Sequence, residues 1–157
     1  MDLLPIRLQP GDDLRRALEA LIRTTDQPSA FVISGIGSLA DARLRFAGEA
    51  SEVLISGPLE IVSLAGSVTP DGTHLHMAVS DREGRVSGGH AGYGNIVRTT
   101  VEAVLVLLPE WSLGREVDAG TGFKELVVRH RNGANSAGLS LSPSENLSVK
   151  GGPSPCW

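Results

Sequence analysis

The sequence predicts an α+β fold, a central and mostly antiparallel β-sheet with one main amphipathic helix near the N-terminus. Three observations carry that expectation. Only one stretch, Leu14 to Ile22, repeats apolar residues with strong helical spacing. About eight other segments are short and β-branched or alternating, as strands are. The chain holds 19 glycines in 157 residues, clustered near turns as tight connections require.

Each element follows in order. Pro5 to Gln9 alternates Ile6 and Leu8 with polar neighbours and reads as a strand. Gly11-Asp12-Asp13 offers a helix N-cap, and Leu14, Ala17, Leu18, Leu21 and Ile22 form one buried stripe that ends before Asp26-Gln27-Pro28. Ala30 to Ile36 reads as a strand whose end is marked by Gly35 and Gly37, so that Ser34 to Ser38 is a turn. Ala40 to Ala47 follows, with Arg43 and Arg45 on one face of a solvated edge. Glu52 to Ser56 and Leu59 to Val68 flank a Gly57-Pro58 turn. Thr73 to Ser80 and Arg85 to His90 flank Asp81-Arg82-Glu83-Gly84. In Asn95 to Leu108 the β-branched residues favour a strand at least in the second half. Phe123 to Arg129 is the last strand. From Arg131 the chain is rich in Ser, Gly, Asn and Pro and has little to bury, so residues 1–130 are expected as the domain and 131–157 as a flexible tail.

The totals narrow the function. A net charge of −4 supplies no bulk basic face for sequence-independent DNA binding. One cysteine, Cys156, rules out a disulfide framework and fits a reducing compartment. The first residues lack a basic segment followed by an apolar one, and Val101 to Leu108 is too short to span a bilayer. A soluble cytoplasmic protein without membrane association is expected.

The histidines carry the chemistry. His74 and His76 leave the same face of their strand. Asp81 to Gly84 suits a type I turn with Gly84 left-handed, the three-residue hairpin loop with a glycine bulge. Opposed residue numbers then sum to 166, and His90 falls across from His76. Their β-carbons would lie about 4.5–5.5 Å apart, with His74 on the diagonal at about 7–8 Å. Three neutral imidazoles suit a divalent ion, zinc first, and leave a fourth position open to water or a small-molecule ligand. A polar sheet face or a subunit contact is the plainer alternative. Gly88 and Gly89 allow a close approach beside His90, and Tyr93 is near enough in sequence to line the site. Glu102 would be a general-base candidate if buried, or an ion-pair partner of Arg98. His130 borders the tail, apart from this cluster.

Residues Leu59 to Ser67, His74-Leu75-His76, Asp81 to Gly84 and Gly88-Gly89-His90 together resemble the plant-and-prokaryote-conserved (PPC) domain, over a span from the helix to about Arg129. The resemblance implies a compact subunit with a central antiparallel sheet that assembles as a homotrimer. It also implies a DNA-binding, regulatory role and, as in some members, a metal at the histidine cluster. The Arg-Gly-Arg-Pro core of the plant AT-hook is absent, and the plant hexapeptide Gly-Arg-Phe-Glu-Ile-Leu appears as Gly57-Pro58-Leu59-Glu60-Ile61-Val62. The expectation is therefore a trimeric binding module with a three-histidine metal site. The alternative is an enzyme that uses metal-activated water, with Glu102 or Tyr93 as its acid or base.

Overall fold

The computed structural model describes residues 2–27 and 29–131. The expected tail, with Cys156 and Trp157, falls outside them apart from Arg131. The described residues form β1 (Asp2–Leu8), α1 (Leu14–Arg23), β2 (Ala30–Arg45), β3 (Val53–Thr69), β4 (Gly72–Ser80), β5 (Val86–Ala91), β6 (Ile96–Leu107), β7 (Trp111–Val117) and β8 (Lys124–His130). The fold class is as expected, with antiparallel pairing throughout.

Asp13 caps α1 by accepting hydrogen bonds from the backbone N–H groups of Arg15 and Arg16, each at 3.1 Å. This relieves two of the donors a helix start leaves unpaired. Leu14, Leu18 and Ile22 are buried against the sheet, each contributing about 1.5–3 kcal/mol. The sheet order is β1-β6-β2-β3-β4-β5, and β5 also pairs with β2. Strands β2 to β5 thus close into a ring, with Leu39, Leu44, Leu59, Leu64, Leu75, Met77 and Leu105 in the core.

Two expected breaks are not there. Gly35 and Gly37 lie inside the continuous strand β2. They serve close packing: a β-carbon on Gly35 would sit 2.8 Å from Leu64 Cδ2, and one on Gly37 would sit 2.3 Å from the Thr100 carbonyl oxygen. Gly57-Pro58 is no turn either, since β3 runs through it opposite a register shift between Leu39 and Asp41. Glycine and proline mark bulges as well as ends. Nor is β2 an edge, because β3, β5 and β6 all pair with it. Arg43 and Arg45 are therefore on an interior strand.

Residues Ile96–Leu107 are strand from end to end. Sequence reasoning found β8 but missed β7, and the two pair only with each other, as a hairpin beside the main sheet. On the outer face of the main sheet, Leu3 lies across from Val106, and Ile36 lies across from Glu102. Leu3, Ile33, Ile36 and Val62 are all more than half exposed. No helix is long and apolar enough to cross a membrane among the described residues.

Candidate metal centre

The β4–β5 hairpin forms as its turn chemistry dictates. Gly84 N–H donates to the Asp81 carbonyl and Asp81 N–H to the Arg85 carbonyl, both at 3.0 Å, with Gly84 left-handed at φ 79°. Asp81 Oδ1 also accepts from the backbone N–H groups of Glu83 and Arg85. The Arg85 side chain beside it holds the Asp81 carboxyl below the usual carboxylate range. That register puts His90 across from His76, as the sequence required.

His74 sits one diagonal away, and the three rings converge. His74 Nε2 is 3.0 Å from His90 Nδ1 and 3.2 Å from His76 Nε2. These ligand atoms all lie within 4.8 Å of one another. A neutral imidazole nitrogen carries either one proton or one lone pair in the ring plane. His74 Nε2 therefore has one hydrogen-bonding capacity for two facing nitrogens, and hydrogen bonding alone cannot satisfy the cluster. A cation shared by three lone pairs can. Nitrogens on a tetrahedral zinc, at about 2.0–2.1 Å from the ion, are roughly 3.4 Å apart, close to the two spacings that His74 makes with its neighbours. The donor set fits the ion the sequence suggested.

The local charges favour ligand-ready imidazoles. His74 is lowered to about 4, first by burial, then by Arg115 and by its two histidine neighbours, while Glu125 pulls slightly the other way. His90 is lowered by burial, then by Arg45 and His76. Because the folded value of His74 lies below its unfolded 6.5, the unfolded chain takes up a proton that the folded chain refuses as pH falls. In the metal-free protein the His74 contribution should be lost progressively from about pH 6.5 down to about pH 4, and His74→Gln should flatten the slope of stability over that range. Urea midpoints across the range check this.

Several residues that sequence reasoning missed hold the centre in place. Below His76 and His90 the two strands part, as β5 turns to pair Arg45 with His90 across from β2. The guanidinium of Arg15, on α1, spans this gap. Its Nη2 donates to the Thr73 carbonyl at 2.7 Å and its Nη1 to the Ala91 carbonyl at 3.3 Å. It thus grips the residue before His74 and the residue after His90. From the other side, Arg115 Nη2 donates to Ser67 Oγ at 2.9 Å, and Ser67 lies across from His74.

The remaining sequence candidates divide. Gly89 serves a backbone approach, because a β-carbon there would sit 2.5 Å from the Arg45 carbonyl oxygen. Gly88 is exposed and lies across from Ala78. The Tyr93 hydroxyl donates to the Glu19 carboxylate at 3.1 Å, and its ring lies under Arg15 and Arg16, so its contacts are with α1. Glu102 is exposed on the outer face, across from Arg7 and outside the histidine cluster. The expected Arg98–Glu102 ion pair is not among those of the described residues. His130 packs edge-on against Trp111, 5.1 Å between centroids.

Comparison with known proteins agrees with this picture. The chain is 43% identical over 129 residues to the bifunctional protein GlmU of Synechococcus sp. (strain JA-2-3B'a(2-13)), covering 82% of this chain but 20% of that protein. It therefore spans about a fifth of the length of the curated relatives it matches. A hypothetical protein from Salmonella enterica superposes with a TM-score of 0.80 at 36% identity, over 83% of this chain and 94% of that one. A metal-containing protein from Archaeoglobus fulgidus superposes with a TM-score of 0.68 at 27% identity, over 81% and 94%. Solved structures from Bacteroides thetaiotaomicron and Ralstonia eutropha share the fold and carry provisional names as DNA-binding proteins. The Plants and Prokaryotes Conserved (PCC) domain model matches residues 1–109. The chain belongs to the Plants and Prokaryotes Conserved domain family.

Proposed function

We propose that this protein is a metal-dependent binding module in which His74, His76 and His90 hold a divalent ion, zinc, and leave one position for a small-molecule ligand. The observation that carries the reading is the convergence of three imidazole nitrogens on a spacing that hydrogen bonding cannot satisfy. The metal-containing neighbour from Archaeoglobus fulgidus supports it. When bound, the ion supplies a Lewis-acid position. The chain's own residues orient the imidazoles through Arg15 and keep His74 and His90 unprotonated near neutrality. Zinc titration of the metal-stripped protein tests this, with saturable binding of one ion per chain expected and no binding as the contrary result.

The module works as a homotrimer in the cytoplasm. The exposed apolar side chains of Leu3, Ile33, Ile36 and Val62 give the outer sheet face a reason to be covered. Ile36→Lys should dissociate the assembly in sedimentation, leaving metal binding intact.

The second reading is DNA recognition, supported by the names of two structural neighbours. The net charge of −4 opposes strong phosphate contact. Gel-shift titration against A·T-rich and random duplexes at low salt separates the two, and the charge balance predicts no shift with either.

A further inference from the structure

His74 and His90 line a cavity of about 1010 Å3 that the β7–β8 hairpin also lines. That hairpin lies beyond residues 1–109, the part matched by the family. It contributes Arg115, Phe123, Lys124 and Glu125 to the cavity, and β2 contributes Arg45.

Two arginines flank the imidazoles. Arg45 lies across from His90, and Arg115 is tied to the residue across from His74. No carboxylate belongs to the ligand cluster. The three imidazoles themselves carry no negative charge to offset a divalent ion beside those two guanidinium groups. Glu49, Glu52, Asp71 and Glu125 also line the cavity. Of these, Asp71 Oδ2 accepts the Arg115 backbone N–H at 3.1 Å, and Glu125 Oε1 accepts the Thr121 hydroxyl at 3.0 Å.

Among the described residues, three buried side-chain polar atoms have no partner, and two of them, Thr73 Oγ1 and Arg115 Nε, belong to residues lining this cavity. Thr73 is 6% exposed and precedes His74. Buried polar groups left without partners are rare and ask for a reason.

We infer that the cavity takes a small molecule bearing a carboxylate or phosphate group, which binds the open metal position and neutralises Arg115 and Arg45. The inference rests on the metal reading above. It makes the β7–β8 hairpin the element that selects the ligand, and the histidines the element that holds the ion.

Cobalt(II) in place of zinc makes both readings visible, since its absorption in the visible range reports the ligands around it. The cobalt-loaded protein is titrated with inorganic phosphate and, separately, with acetate in chloride-free buffer. A saturable spectral change with either supports the inference, and the tighter probe identifies the anion class. Arg115→Gln and Arg45→Gln should each weaken that anion by about tenfold, the loss of one charge-assisted contact. Cobalt itself should bind Arg45→Gln as tightly as the wild type, or more tightly, because a like charge has left, whereas Arg115→Gln also frees Ser67 and is read by its anion affinity at saturating cobalt. Arg45→Gln reads the same loss of charge without breaking the Arg115–Ser67 hydrogen bond. A cobalt spectrum that neither anion moves overturns the inference and leaves the metal reading standing. Equal anion affinity in wild type and both variants also overturns it. Absence of cobalt binding removes both readings.

Discussion

His90→Ala weakens zinc binding by a factor on the order of 10³, about 4 kcal/mol, while the protein remains folded. His90 supplies one of three ligand atoms, and its loss leaves His74 and His76, two residues apart on a single strand. A pair on one strand cannot surround an ion, so the closing ligand from β5 carries much of the affinity. The fold is expected to survive because His90 is only partly buried, and its strand is held by backbone pairing to β4 and β2. Competition with a chromogenic chelator measures the affinity, and far-ultraviolet circular dichroism confirms the fold. A change of less than tenfold would mean that the imidazoles do not share an ion.

Gly66→Ala should lower stability by on the order of 3 kcal/mol, combining backbone strain with steric displacement. Gly66 has φ 150°, which side chains rarely adopt, and an added β-carbon would sit 2.0 Å from the His74 carbonyl oxygen. No flexible side chain is there to move aside, so strand β3 must withdraw from β4 where His74 is carried. The melting temperature should fall by roughly 6–12 °C, and zinc affinity should fall with it. A melting temperature within 2 °C of wild type, about the effect of a neutral surface change, would show that β3 and β4 tolerate separation there.

The contrast between these two positions shows what was legible in the sequence. His90 was placeable because its register depends on one short turn, Asp81 to Gly84, whose residue types fix both loop length and pairing. The helix was equally plain, since its stripe and its Asp13 cap are local. The glycines misled because the same residue that ends a strand also lets two backbones approach. At Gly35 and Gly37 the packing partners, Leu64, Ala103 and Thr100, lie far along the chain. Arg15, Arg45, Arg115 and Glu125 were missed for the same reason, because each reaches the centre from a distant segment. One signal was available. Trp111, Leu113 and Val117 alternate with Ser112, Gly114 and Glu116 in Trp111–Val117, a short segment that also pairs in length with Lys124–His130, and a hairpin could have been read from the two together.

What the fold does with the centre follows from this division. The β4–β5 hairpin brings the ligands together by local register, and long-range contacts from α1 and β7 fix them. Arg15 holds Thr73 and Ala91 where the strands part, and Arg115 places a positive charge beside His74. Orienting groups of this kind commonly tune metal affinity by about 10–100-fold.

The central claim is that three imidazoles hold one ion. Elemental analysis of the protein purified from zinc-supplemented cells, beside the variant with alanine at His74, His76 and His90, tests it most directly. The account predicts about one zinc per chain in the wild type and none in the triple variant, with the absorption of the cobalt form showing nitrogen coordination. Equal metal content in the two proteins, or a wild type that neither carries nor takes up zinc or cobalt, would contradict it.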